Sequence, residues 1–355
     1  MSIRRGIIVS LSAFVVPYSS ALGQSGPVLE VTVKSPIDQH LAFSTVEVSG
    51  GLAKFTNDAG SVSLRLPGTG TYRLKLRHLG YSPVDTTITL EPGEVRRSLT
   101  VVLQPAAIRV ATISVKARTT CKVLSDSQTE LGRLVGELRK NAEREVLLRR
   151  AYPFMYTLAR VYETTDNHFH GVNRHRDVVR YSSLATDKYV AGQLVRGAKR
   201  PRGGSTRELR IPTLIDIAED EFLKSHCFSY AGESTLDGRE VYRIDFEPIP
   251  GLNGADVRGS AFIDKGSYLI RRTSFGLTNG HLLRPSVIGV EVTTSYREIV
   301  PGFALVDHIR AVQTVPRTWG GKDTRVDEQR LVAIDFLSEL PGIAGSVREP
   351  HPRRF

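Results

Sequence analysis

The chain reads as mainly β: an N-terminal antiparallel β-sandwich followed by a helix and a large curved antiparallel sheet, an α+β half-barrel. Three observations predict this. Residues 28–103 alternate apolar and polar side chains in short runs separated by Pro, Gly and Asn turns. Residues 131–142 carry a single apolar stripe at helical spacing. From residue 152 onward longer alternating runs return. With 355 residues, the chain has room for two domains that each bury a core.

Ahead of the first strand, Arg4 and Arg5 precede an apolar run over residues 6–16, and small residues follow up to Ala21-Leu22-Gly23. This is the layout of a signal peptide, expected to be cleaved after Gly23, so that residues 1–23 leave the mature chain. The run is shorter than the roughly 20 residues that span a bilayer, so no transmembrane segment is expected in the mature chain. Formal charge is +11, or +9 without Arg4 and Arg5, which favours anionic partners. An exported protein meets these as lipid head groups, anionic glycans or acidic envelope proteins. Nucleic acid is not expected, because its usual binding modules are absent.

Strands are predicted at residues 28–33 and 44–48, with a turn around Pro36-Ile37-Asp38 between them. Asn57-Asp58-Ala59-Gly60 makes a tight turn into 61–66, and Pro67-Gly68-Thr69-Gly70 turns the chain again into 72–76. Further strands are expected at 86–90, 99–103 and 108–115. Residues 42–48, the Thr56 to Gly60 turn, Pro67-Gly68 with Tyr72, Gly80-Tyr81 and Leu103-Gln104-Pro105 together resemble the carboxypeptidase regulatory-like family, a transthyretin-like sandwich. That resemblance implies an accessory module spanning 24–117 and no catalytic role for it. Gln39-His40-Leu41 departs from the Gly-x-Pro-Leu turn more usual in the family.

A polar hinge at 118–122 leads into a second domain, 118–340, and 341–355 reads as a disordered tail. Ser127-Gln128-Thr129-Glu130 offers a capping box, and Leu131, Leu134, Val135, Leu138 and Ala142 form the stripe of a helix running to about Arg150. Arg133, Glu137, Arg139, Lys140, Glu143 and Arg144 fall outside that stripe, so the helix packs its stripe on the following sheet or, given the Arg excess, lies on a membrane surface. Strands are expected at 239–246, 257–263 and 268–277, the last two joined by Asp264-Lys265-Gly266-Ser267 with Gly266 at positive φ, and then at 288–299, 303–315 and 330–337. Residues 236–277 resemble the lipoprotein-carrier type of half-barrel, which implies a concave apolar sheet. Such a surface either holds a lipid or acyl chain or is filled by the chain's own helix and loops.

The only two cysteines, Cys121 and Cys227, are expected to pair in an oxidising compartment, stapling the start of the helix to the sheet and leaving the sandwich free to pivot. His168 and His170 are an H-x-H pair with rings about 7 Å apart if on a strand, and His175 completes a candidate zinc set. Arg174 and Arg176 flank His175 and oppose a cation there. The acidic run Asp216, Glu219, Asp220 and Glu221 reads as an exposed helical turn rather than a carboxylate pair, and 199–210 as a mobile basic loop. No nucleophile elbow is present, and no cofactor is expected. The reading is an exported, periplasmic or outer-membrane-peripheral binding module for an apolar ligand, a glycan or an envelope partner. The alternative is a metal-dependent hydrolase built on His168, His170 and His175.

Overall fold

A computed structural model describes residues 26–106, 129–166, 171–185, 188–199, 205–283, 287–300, 302–316, 321–338 and 346–348. The signal-like segment, the strand expected at 108–115, the hinge with Cys121, His168, His170 and the tail beyond 348 lie outside the described residues.

The first unit is a sandwich of seven strands: β1 (Val28–Lys34), β2 (Thr45–Val48), β3 (Leu52–Phe55), β4 (Ser61–Arg65), β5 (Gly70–Arg77), β6 (Val84–Leu90) and β7 (Arg96–Val102). They form two sheets in the orders β4-β1-β7 and β3-β2-β5-β6. Alternation works as expected: Leu29, Val31 and Val33 of β1 are buried and meet Val46, Leu64, Leu74 and Leu76 in one core. Two details differ from the sequence reading. β3 was not anticipated, and β1 pairs β7 in parallel, so the sandwich is not purely antiparallel. The parallel pair follows from connectivity, since the last strand enters beside the first from the same end.

The second unit begins with α1 (Glu130–Ala151). Thr129 caps it, accepting from Gly132 N at 3.0 Å, so the cap lies two residues beyond Ser127. The strands β8 (Phe154–Asp166) and β9 (Gly171–Ser182) form a long hairpin, and β10 (Val195–Lys199) and β11 (Ser205–Leu209) a short one. α2 (Leu214–Ala218) and α3 (Asp220–Ser225) follow, and then a meander: β12 (His226–Leu236), β13 (Arg239–Pro248), β14 (Asp256–Asp264), β15 (Ile270–Thr278), β16 (Gly289–Val300), β17 (Phe303–Pro316) and β18 (Lys322–Phe336). The large antiparallel sheet runs β12 through β18, then β8 and β9, with the short β19 (Ser346–Arg348) also on β18. It is not a closed barrel. In the basic stretch at 199–210, Lys199 ends β10 and Ser205–Leu209 is β11, so these residues are strand, while 200–204 lie outside the described residues.

The β14–β15 turn solves its geometry differently from the expectation. Gly266 is not at positive φ; Tyr268 is, at 56°. Asp264 Oδ1 accepts from Gly266 N at 3.0 Å and Ser267 N at 2.8 Å, holding the loop so that the left-handed residue falls at its end.

The concavity of the sheet is filled from within. Leu134, Val135, Leu138 and Ala142 of α1, Leu214 and Ile217 of α2, and Phe222 and Leu223 of α3 join Phe228, Ile244, Phe246, Val257, Ile263 and Phe275 in one core. Of the two possibilities open from the sequence, the chain's own helices occupy the concave face.

The other side of α1 is buried as well. Glu137, Lys140 and Arg144 are buried where the sandwich lies on them, and Asn141 and Glu145 are buried as well. Glu137 accepts from Gly80 N at 3.0 Å, and Lys140 Nζ donates to Tyr81 O at 2.6 Å and to Glu137 at 2.7 Å. Arg144 donates to Phe43 O of the sandwich and, at 2.7 Å, to Gly302 O at the start of β17, with Phe303 4.7 Å from its guanidinium carbon. Asn141 bridges to the sheet, donating to Tyr268 O at 2.9 Å and accepting from Ile270 N at 3.0 Å. Gly80, at φ 75°, has the Tyr268 ring where a Cβ would stand, 2.6 Å away, so no other residue fits there without displacing the ring. The sandwich is therefore hydrogen-bonded to the helix rather than left free to pivot.

Burial lowers the Arg144 guanidinium to about 10, against the pull of Glu298 and Glu137, so it is charged at neutral pH. Removing it leaves the Phe43 and Gly302 carbonyls without their donor. Arg144→Ala is expected to cost about 2–4 kcal/mol. Urea unfolding of the two proteins checks this, and an unchanged midpoint would show that the guanidinium does not join the units.

Candidate functional site

Where the sandwich meets the first half of α1, its apolar turn does not close on the helix. Tyr81-Ser82-Pro83 and Pro105-Ala106 stand opposite Gly132, Gly136 and Lys140, and a cleft of about 600 Å³ lies between them. Gly136 forms part of its floor, and a Cβ built there meets nothing within 4 Å. Packing thus does not require a glycine at a position where it costs about 1 kcal/mol relative to alanine. Its effect is to deepen the cleft.

Four cations line the space, Arg77, Arg133, Arg139 and Lys140, against two carboxylates, Glu137 and Glu143. Both carboxylates are engaged, Glu143 with Arg77 at 2.5 Å and Glu137 with Lys140 at 2.7 Å, while Arg139 reaches Asp220 of α3. Burial raises the Glu137 carboxyl against the opposing pull of Lys140. Apolar walls beside ion pairs that hold their charges in place before any ligand arrives suit an amphiphilic ligand.

The residues singled out from the sequence are not brought together here. His175 lies exposed on β9, opposite Tyr162 of β8. Arg174 and Arg176 do not crowd it, since strand alternation places them on the opposite face, where Arg174 pairs with Glu163. Among the described residues no group of three or more His, Cys, Asp or Glu side chains is placed to hold a metal. Cys227 is buried near the start of β12. Of the acidic run, Asp216 is buried rather than exposed. It accepts from Thr213 N and Oγ1 at 2.7 Å and pairs with Arg210 at 3.1 Å, a capping box closed by an ion pair.

One constellation escaped the sequence reading. Ser225, His226 and Asp256 meet in the core: Ser225 Oγ is 3.1 Å from His226 Nδ1, and His226 Nε2 is 3.7 Å from Asp256 Oδ1. The residue types are those of a hydrolytic triad, but the geometry is not. His226 Nε2 faces Val257 O at 3.1 Å, Asp256 accepts from Tyr189 Oη at 2.7 Å and Gly192 N at 2.8 Å, and all three are buried. Burial lowers the imidazole pKa; its two nitrogens face the carbonyls of Phe222 and Val257, each at 3.1 Å, and the neutral ring can donate to only one of them. No solvent-open face is left for a substrate. The group ties the segment around Tyr189 to the sheet.

No protein-family model matches the chain, and no curated protein is significantly similar to it. Among solved structures, three remote likenesses cover most of the other chain. A DUF1329 family protein from Desulfovibrio piger is 12% identical, over 58% of this chain and 94% of that one, with a TM-score of 0.33. A putative outer membrane lipoprotein-sorting protein domain from Vibrio parahaemolyticus is 14% identical over 58% and 95%, at 0.30. A LolA superfamily protein from Nitrosomonas europaea is 12% identical over 59% and 94%, at 0.31. Similarity this loose leaves function to be argued from the cleft itself.

His78 abuts that cleft's supporting contacts. Its Nδ1 lies 3.1 Å from Ser44 Oγ and its ring 5.2 Å from Tyr81. Burial first, and then the charges of Arg144 and Lys140, lower its pKa from 6.5 to about 3. A depressed folded pKa means that the unfolded chain takes up the proton first. The stabilisation is complete above pH 6.5 and is lost as pH falls from there toward 3. Stability measured by urea unfolding is expected to decline across that window, and His78→Asn is expected to flatten the decline. An identical pH profile in the variant would remove His78 as its cause.

Proposed function

We propose that this is an exported, non-catalytic binding protein of the cell envelope, and that the cleft between the sandwich and α1 takes the anionic head group of a lipid. The carrying observation is the cleft's combination of apolar walls, four lining cations and a floor left open at Gly136. The signal-like N-terminus and the net charge, +11 and still +9 without Arg4 and Arg5, agree with a partner of that kind outside the cytoplasm. The filled concavity of the sheet supports the same choice, since its apolar face is already buried by α1, α2 and α3. Residues 24–117 are an accessory module of carboxypeptidase regulatory-like type in this reading, and 118–340 a half-barrel whose helix serves as the binding platform.

Flotation with phosphatidylglycerol vesicles, with phosphatidylcholine vesicles as control, tests the proposal. The protein is expected to float with the anionic vesicles only. Gly136→Leu, which fills the cleft at a position with room for the side chain, is expected to abolish flotation without lowering the unfolding midpoint. Equal flotation with both lipids, or unchanged flotation of the variant, would overturn it.

A Cys121–Cys227 bridge belongs to the same proposal, since Cys121 shortly precedes α1 in the chain and a bridge would hold that helix's start to the sheet. Closing a loop of about a hundred residues is worth roughly 4–5 kcal/mol in the chain-entropy model. Non-reducing peptide mapping is expected to recover one cross-linked peptide containing both residues. Two free thiols in exported protein would refute the bridge.

A further inference from the structure

The same domain interface opens again near the other end of α1. Phe43 and Phe55 of the sandwich meet Phe303 of β17 edge to face, with ring centroids 5.7 and 4.8 Å apart, and Tyr152, the C-cap of α1, stands beside them. These aromatics wall a pocket of about 240 Å³ whose rim is polar, carrying Lys54, Asp58 and Ser63. This pocket shares no lining residue with the basic cleft.

The geometry points to a binding site for a neutral hexopyranose ring in this pocket. Its volume is below the about 300–1,000 Å³ of a drug-sized ligand site and suits a single ring. A sugar ring has one chemistry on its faces and another on its edge. Its C–H faces carry partial positive charge, which the negative face of an aromatic ring attracts, while its hydroxyls donate and accept around the perimeter. The pocket offers the partly exposed aromatic side chains Phe43, Phe55 and Tyr152 together with a polar rim. Three of its polar groups are unengaged among the described residues: the Asp58 carboxylate, the Ser63 hydroxyl and the Tyr152 hydroxyl. Lys54 makes one long bond, to Ser63 O at 3.3 Å.

The charges select the ligand further. Asp58 accepts two vicinal hydroxyls well but repels an anion, and Lys54 donates well but repels a cation, so their presence on one rim favours an uncharged polyol. A purely apolar ligand would strip water from Asp58 and Lys54 without replacing its hydrogen bonds. Phe303 is buried and Arg144 lies against its ring, so the wall is fixed by the contact that joins the two units.

Saturation-transfer NMR of the full chain with the methyl glycosides of glucose, galactose, mannose and N-acetylglucosamine at millimolar concentration tests this site. At least one glycoside is expected to receive saturation, strongest at its ring C–H protons. Asp58→Ala is expected to weaken its binding by about tenfold, the loss of one charge-assisted hydrogen-bond pair. Tyr152→Phe, which keeps the wall and removes the hydroxyl, is expected to weaken it less. Asp58 is exposed and unpaired, so its variant should fold as wild type and still float with anionic vesicles. No saturation of any glycoside, or binding indifferent to Asp58→Ala, would overturn the sugar site and leave the lipid cleft untouched.

Discussion

Everything in this protein turns on a helix that is buried on two sides by different chemistry. One face of α1 presents Leu134, Val135, Leu138 and Ala142 to the large sheet, and the opposite face presents Glu137, Lys140 and Arg144 to the sandwich. Burying those charges is costly unless each finds a partner, and each does, through backbone groups of Gly80, Tyr81, Phe43 and Gly302. Because those partners belong to both β units, the requirement to satisfy three ions orients the sandwich on the half-barrel.

A polar interface is directional where an apolar one is not. Leucines against a flat sheet tolerate sliding by a fraction of a turn. An Arg144 that must reach Phe43 O on one side and Gly302 O on the other, beside an Asn141 matched to Tyr268 O and Ile270 N, tolerates very little. Both pockets at the interface inherit this. The cationic cleft lies against the early turns of α1 and the aromatic pocket beside its C-cap, with Arg144 between them in sequence. Neither needs a separate scaffold, since the side chains that join the units also shape the spaces left over.

Much of the fold was legible because alternation and helical periodicity are local signals. Strands such as Val28–Lys34 and Arg239–Pro248 show period two directly, and the stripe of α1 shows period 3.6. The misreadings came where a second partner altered the meaning of a residue. Asp216 sits in an acidic run that looks solvated, yet Arg210 and Thr213 meet it in the core. Gly266 looked like the residue to take positive φ, but Asp264 caps the turn and passes that conformation to Tyr268. Neither cleft could be found this way. Tyr81 and Gly136 are 55 positions apart, Phe55 and Phe303 nearly 250, and nothing in their own neighbourhoods marks them as facing one another.

By itself the sequence determined the two β units, the apolar face of the helix between them and the basic character of the whole. These follow from repeats a few residues long, which depend only on how a strand or helix presents its side chains. The tertiary structure decided which face of α1 is solvent and which is interface, whether the concave sheet is empty or filled, and where open space remains. Those are properties of surfaces brought together from distant parts of the chain. A charged residue carries no sign in its own segment of whether water or a carbonyl will solvate it.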